Sequence, residues 1–326
     1  MKYVNESPSV VALSGGIGGA KLALGLSNAL SSRSLMIIGN IGDDFVHYGL
    51  YISPDLDTLM YTISGNSDTE KGWGLAEESW DCMKSLGRLG GETWFNLGDK
   101  DLATHLERTR RIMAGESLTE ITSDFCRKFK ISAQILPVSN DSVKTIVETE
   151  NGDMDFQDYF VRDQCKAVVS GFRFEGSGQA EPNPLFMEAL SDPSLRAVVI
   201  CPSNPFLSID PMLAVRGVRE KLRDCSAPVI AVTPIINGNA VKGPTAKIIR
   251  ELGYTVSPYT VAEYYKDILD GFVVDILDKA TVCDIKQLGL SVEVSNTIMT
   301  DLASKTDLAQ TVLKFAENCE KKYIVS

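Results

Sequence analysis

The chain has 326 residues, 44% of them hydrophobic and 23% charged, which suits one large α/β domain or two smaller ones. A formal net charge of −11 argues against a nucleic-acid partner, because a phosphate backbone needs a basic face, whereas a nucleotide needs only a local cationic pocket. Seven scattered cysteines without a C-x-x-C pair fit reduced thiols. No signal core or membrane-length apolar run is present, so the expectation is a cytoplasmic protein without a membrane partner.

Val10–Leu13 reads as a buried strand that ends in Ser14, Gly15, Gly16, Gly18, Gly19 and Lys21, ahead of a helix at about 19–31. Strand, glycine turn and helix point backbone N–H groups and a helix N-terminus at an anion, usually phosphate. The spacing is neither the dinucleotide fingerprint G-x-G-x-x-G nor the P-loop, since Leu22 stands where the P-loop hydroxyl belongs. Leu35–Ile38 is the second strand, and the helical crossover between the two predicts parallel pairing.

Behind strand two, Asp43, Asp44, His47, Asp55 and Asp57 fall within 15 residues. Close carboxylates repel unless a cation or a proton is shared, so beside a phosphate loop the cluster points to a divalent metal, Mg²⁺, with Asp43, Asp44 and Asp57 as candidate ligands. Asp55 and Asp57 also open a helix after Pro54. Two positions apart on a helix they stand about 200° apart, so Asp55 is expected to cap the helix while Asp57 meets a substrate hydroxyl or the metal, both being candidate catalytic carboxylates.

Residues 76–130 read as helices, with Lys100 and His105 beside an acidic turn and Arg108, Arg110 and Arg111 as a solvated face. Residues 131–176 read as strand-like pieces with a turn at Asn151-Gly152. Further buried strands follow at Ala197–Cys201, Pro228–Val232 and Phe272–Asp275. Ser203 and Asn204 after the first of these can donate to phosphate or sugar. Asp210 is a plausible N-cap before Pro211, and Pro244 opens a helix that Gly253 ends. The pattern predicts an α/β, Rossmann-like open and mainly parallel sheet with helices on both faces. Residues 1–70 and 190–326 form the expected nucleotide-binding core, with 71–189 as a helical and mixed insertion over the sheet's C-terminal edge.

LSGGIGGAKL (13–22), GNIGDDFVHYGLYISPDLDTLMY (39–61), WFNLGDKDLATHLERT (94–109), FQDYFVR (156–162), CPSNPFLSIDPML (201–213) and TPIINGNAVKGPTAK (233–247) occur in the order in which they occur in the 2-phospho-L-lactate transferase family of coenzyme F-420 biosynthesis, which the chain resembles over nearly its whole length. The resemblance implies Mg²⁺-dependent transfer of a phospholactyl-type group from a guanosine diphosphate donor to the ribityl hydroxyl of 8-hydroxy-5-deazariboflavin (Fo), with release of GMP, by a homodimer. It leaves open whether the donor carries lactate, enolpyruvate or glycerate. By position it implies that Asp57 and Lys100 contact the deazaflavin, and that the glycine loop with Asn204 meets the nucleotide phosphates. Lys100 stands where arginine is expected, and Asn140 where a carboxylate is. A related family of non-catalytic sugar-nucleotide-binding regulators shares the glycine loop but needs no clustered carboxylates.

Overall fold

The structure, a computed structural model, describes residues 8–31 and 33–321. Seven short strands form the central sheet: β1 (Val10–Ser14), β2 (Leu35–Gly39), β3 (Gln134–Pro137), β4 (Ala197–Ile200), β5 (Val229–Val232), β6 (Gly271–Asp275) and β7 (Ser291–Ser295). Their spatial order is β7-β6-β5-β4-β1-β2-β3, and every pair is parallel. Because β1, β2, β4, β5 and β6 are buried on both faces, their sequences are continuous apolar runs rather than alternating ones. The order reverses direction between β1 and β4. With right-handed crossovers, that reversal puts the helices of the two halves on opposite faces and opens a crevice at the strands' C-terminal ends.

The expected boundary at 71–189 is redrawn by β3. This strand lies inside the expected insertion, yet it pairs with β2 in register from Met36–Gln134 to Gly39–Pro137. Only four residues long, it carries too little alternation to distinguish an edge strand of the core from a strand of a separate lobe. Two stretches do leave the central sheet. The first holds helices α3 (Asp81–Arg88), α4 (Asp99–Met113) and α5 (Leu118–Lys128). The second is an antiparallel sheet of Lys144–Thr149, Gly152–Asp155 and Val169–Glu175, with the expected turn at Asn151-Gly152. Ile52, Met83 and Leu97, packed with Phe45, Trp80, Phe95 and Leu102, form a small second core under the first stretch.

Helix α1 spans Gly16–Ala29, three residues earlier than expected, so Gly16, Gly18 and Gly19 belong to its first turn and only Gly15 precedes it. Gly16 has φ of +65°, which needs glycine. At Gly18 and Gly19 the need is instead close approach: a Cβ on Gly18 would stand 2.5 Å from the Pro202 carbonyl oxygen. Helix α2 (Pro54–Ile63) begins with Pro54 at its first position and two acidic residues in its first turn, a placement its dipole favours. Asp210 does not cap a helix. It sits inside one, buried, and accepts the Tyr264 hydroxyl.

Candidate active site

A cavity of about 920 Å³ opens at the C-terminal end of the sheet. One part is lined by Gly15, Gly16, Gly18, Lys21, Ser203, Asn204, Thr233, Lys242 and Thr297–Thr300. The other is lined by Asp57, Thr58, Tyr61, Trp94, Phe95, Asp101, His105 and Phe160, and Asp43 and Asp55 also line the chamber.

In the first part, Gly15 at the N-cap has no side chain to satisfy the α1 amides. The Gly15 N–H donates to Ser203 Oγ at 3.1 Å, and the Gly16 N–H donates to Asp55 Oδ1 at 2.5 Å. Asn204 caps the turn after β4 through its Oδ1, which accepts from Phe206 and Leu207, and its Nδ2 is buried without a partner. Lys21 donates to the Met299 carbonyl at 3.1 Å. Burial, with Lys242 and Lys305 nearby, lowers its pKa.

Asn40, directly after β2, holds the acidic centre together. Its Nδ2 donates to Asp43 Oδ1 at 3.2 Å and to Asp55 Oδ2 at 3.0 Å. Burial raises the Asp55 pKa to about 6. Burial, then the Asp55 and Asp44 charges, holds that of Asp43 well above the carboxylate range. Asp55 is thus not the cap of its own helix, because its carboxylate crosses to the α1 N-terminus. Asp44 is turned away: it does not line the cavity, and it accepts from Ser53 Oγ at 2.9 Å and Tyr51 Oη at 3.2 Å.

In the second part, Asp57 is paired with the guanidinium of Arg108, whose Nη1 lies 3.0 Å from Oδ2 and whose Nη2 reaches Oδ1. Arg108, expected on a solvated face, is only 1% exposed, and Arg111 is also buried, between Glu116 and Asp124. Asp101, His105 and Arg108 recur at four and three residues along α4. That is one helix face, and this spacing was the signal that places Arg108 with His105. Oxygens of Asp57 and Asp101 and a nitrogen of His105 come within 4.8 Å of one another. Arg108 already pairs with Asp57 there.

Lys100 is not at the cavity. Its Nζ donates to the Ala76 carbonyl at 2.9 Å, and its turn is structural: Glu78 accepts the Lys100 and Asp101 N–H groups at the start of α4, while Asp99 accepts those of Asp81 and Cys82 at the start of α3. His47 also lies outside the lining, edge-on to Trp94 at 5.3 Å in an aromatic cluster. Asn140 binds Thr119 at the first turn of α5.

Three comparisons bear on this arrangement. The family model described as 2-phospho-L-lactate transferase CofD matches residues 10–314. A phosphoenolpyruvate transferase of Kitasatospora aureofaciens is 38% identical, over 94% of this chain and 98% of that protein. A 2-phospho-L-lactate transferase of Methanosarcina mazei is 37% identical, over 94% and 99%. Among solved structures, a UPF0052-family protein of Bacillus halodurans aligns with a TM-score of 0.61 at 14% identity, over 96% of this chain and 99% of that one, a likeness of fold. No helix among the described residues is long and apolar enough to cross a membrane. The chain belongs to the 2-phospho-L-lactate transferase (CofD) family, transferases of coenzyme F-420 biosynthesis.

Proposed function

We propose that the chain moves a phospholactyl-type group from a guanosine diphosphate-linked donor to the terminal ribityl hydroxyl of Fo, releasing GMP. The observation that carries this reading is the chamber itself. A helix N-terminus whose N-cap is a glycine, a pair of buried carboxylates and an aromatic-walled lobe line one cavity. The donor's phosphates fit the α1 amides, Ser203 and the free Nδ2 of Asn204. The deazaflavin ring fits among Trp94, Phe95 and Phe160, with its polyol arm toward Asp57 and Asp101.

In the transfer, the acceptor oxygen forms a bond to the phosphorus that bears the acyl group. The bond from that phosphorus to the bridging oxygen breaks, and GMP leaves with the electron pair. The hydroxyl proton passes to a carboxylate at the seam between the two parts. Asp55 suits that role, since burial raises its affinity for a proton by more than the hydrogen bonds it accepts from Asn40 and the Gly16 N–H lower it. Asp57, tied to Arg108, orients the hydroxyl instead.

Mg²⁺ fits the desolvated Asp43 beside the donor's phosphates, and when bound it would neutralise charge on the diphosphate while leaving Asp55 to take the proton. Asp44, held by Ser53 and Tyr51, does not join it. Identity does not choose the acyl group: a phosphoenolpyruvate transferase and the 2-phospho-L-lactate transferase of Methanosarcina acetivorans each match at 38%. Homodimerisation rests on the family resemblance and is measured by sedimentation. The test of the reaction is incubation with Fo, Mg²⁺ and each guanylated donor, with GMP and the deazaflavin product followed by chromatography. Formation of both with one donor is expected; a UDP-sugar that stabilises the fold, with no turnover, would favour a nucleotide-sugar sensor.

A further inference from the structure

Arg108 is among the largest fully buried side chains of the described residues, yet it does not line the chamber. Its guanidinium spans Asp57, and Nη1 also lies 3.5 Å from the Tyr51 carbonyl and 3.3 Å from His105 Nδ1. The Phe125 ring covers it, 5.9 Å from Cζ. A guanidinium has only donors. Nδ1 of His105 therefore accepts, and the one ring hydrogen of the neutral imidazole sits on Nε2. The rival partner for Nδ1, Asp57 Oδ2, is farther away at 3.7 Å and already holds Arg108.

Nε2 lies 3.3 Å from Asp101 Oδ2, but no partner is aligned with it. His105 is 1% exposed and borders the chamber, and its Nε2 is a buried donor without an aligned acceptor. The other oxygen of Asp101 takes the Tyr61 hydroxyl at 2.5 Å. Two carboxylates beside one arginine disfavour an anionic ligand arm and suit neutral hydroxyls.

We propose that Arg108 is a positioning residue: it pins the Asp57 carboxylate and holds His105 as the Nε2–H tautomer, so that the lobe offers two carboxylate acceptors and one imidazole donor to a substrate with several hydroxyls. The substrate half of this inference rests on the transferase reading above; the tautomer half does not.

The chain has two histidines, so ¹⁵N-imidazole labelling gives two ring systems, and loss of one in His105→Gln assigns the other. At pH 7 the His105 ring is expected to carry its proton on Nε2 with Nδ1 bare. A proton on Nδ1 would overturn the tautomer. In turnover, Arg108→Lys keeps the charge but loses the fork, and the KM for Fo should rise about tenfold or more with the donor KM unchanged. His105→Gln, whose amide reaches toward the Nε2 position, should keep more of kcat than His105→Asn, whose amide sits near Nδ1. Equal losses in both, with an unchanged KM for Fo in Arg108→Lys, would leave Arg108 and His105 a purely structural role and reject the proposal. A wild-type protein that releases no GMP would reject the transferase reading while leaving the tautomer measurement intact.

Discussion

Two carboxylates two residues apart have opposite surroundings, and substitution should tell them apart. Asp57→Asn removes the partner of a fully buried guanidinium, so a stability loss of about 3 kcal/mol or more is expected, read from denaturant midpoints. Asp55→Asn removes a charge that burial already opposes, and it should be neutral or stabilising without ligand while turnover falls by about 10²-fold. The pH dependence has a definite sign. The folded-state pKa of Asp55 is raised to about 6, which is above its unfolded value, so the folded form binds more protons, and this group's destabilisation fades as pH falls from 7 toward 5. In EDTA, the Tm of the wild type minus that of Asp55→Asn should therefore rise over that interval. Mg²⁺ should raise the wild-type Tm more at pH 7 than at pH 5, since burial also holds a proton on Asp43 as pH falls; equal Tm shifts at both would exclude Asp43 as a ligand. At this scale the sequence was informative about residue types. It did not reveal pairing: nothing local shows that Arg108, 51 residues away, meets Asp57.

The first turn of α1 owes its shape to its neighbours more than to its own sequence. Gly18 lies against the loop after β4, where a Cβ would meet the backbone oxygen of Pro202 rather than a side chain that can swing aside. Gly18→Ala must therefore push the β1–α1 turn from the Pro202–Asn204 segment, with an expected cost of about 1–3 kcal/mol and a loss of GDP affinity of tenfold or more, checked by calorimetry. Gly178→Ala, with nothing within 4 Å of the added methyl, is the control. The strand runs at Val10, Leu35, Ala197, Val229 and Gly271 were legible because full burial writes them as unbroken apolar stretches. Helix α5, within the stretch read as helical, opens on Ser117 and Glu120, which form a capping box. In the acidic turn around Lys100, Glu78 and Asp99 accept backbone N–H groups at two helix starts, contacts that sequence alone does not distinguish from ligand binding.

Across the whole molecule, the sheet order explains why the chamber draws on such distant segments. The strand reversal between β1 and β4 brings residue 15 beside residue 203, and β3 ties the middle of the chain into the core. A chain lacking residues 71–189 would lose β3 along with α3, α4 and α5, exposing the edge of β2. It is expected not to fold cooperatively, as judged by near-ultraviolet circular dichroism and the denaturation slope; a sharp transition would restore the insertion as an independent unit. The undivided chamber also bears on the kinetic scheme. A donor and an acceptor that share one space can react with each other directly. Cys201, directly before the lining residue Pro202, is buried with its thiol pushed up to about 12, a poor relay for a covalent intermediate. On the transferase reading proposed above, both substrates are expected to be aboard before either product leaves. Initial-rate plots against Fo at several donor concentrations should converge to a common point, whereas parallel lines would mean that the protein itself carries the phosphoryl group between two half-reactions.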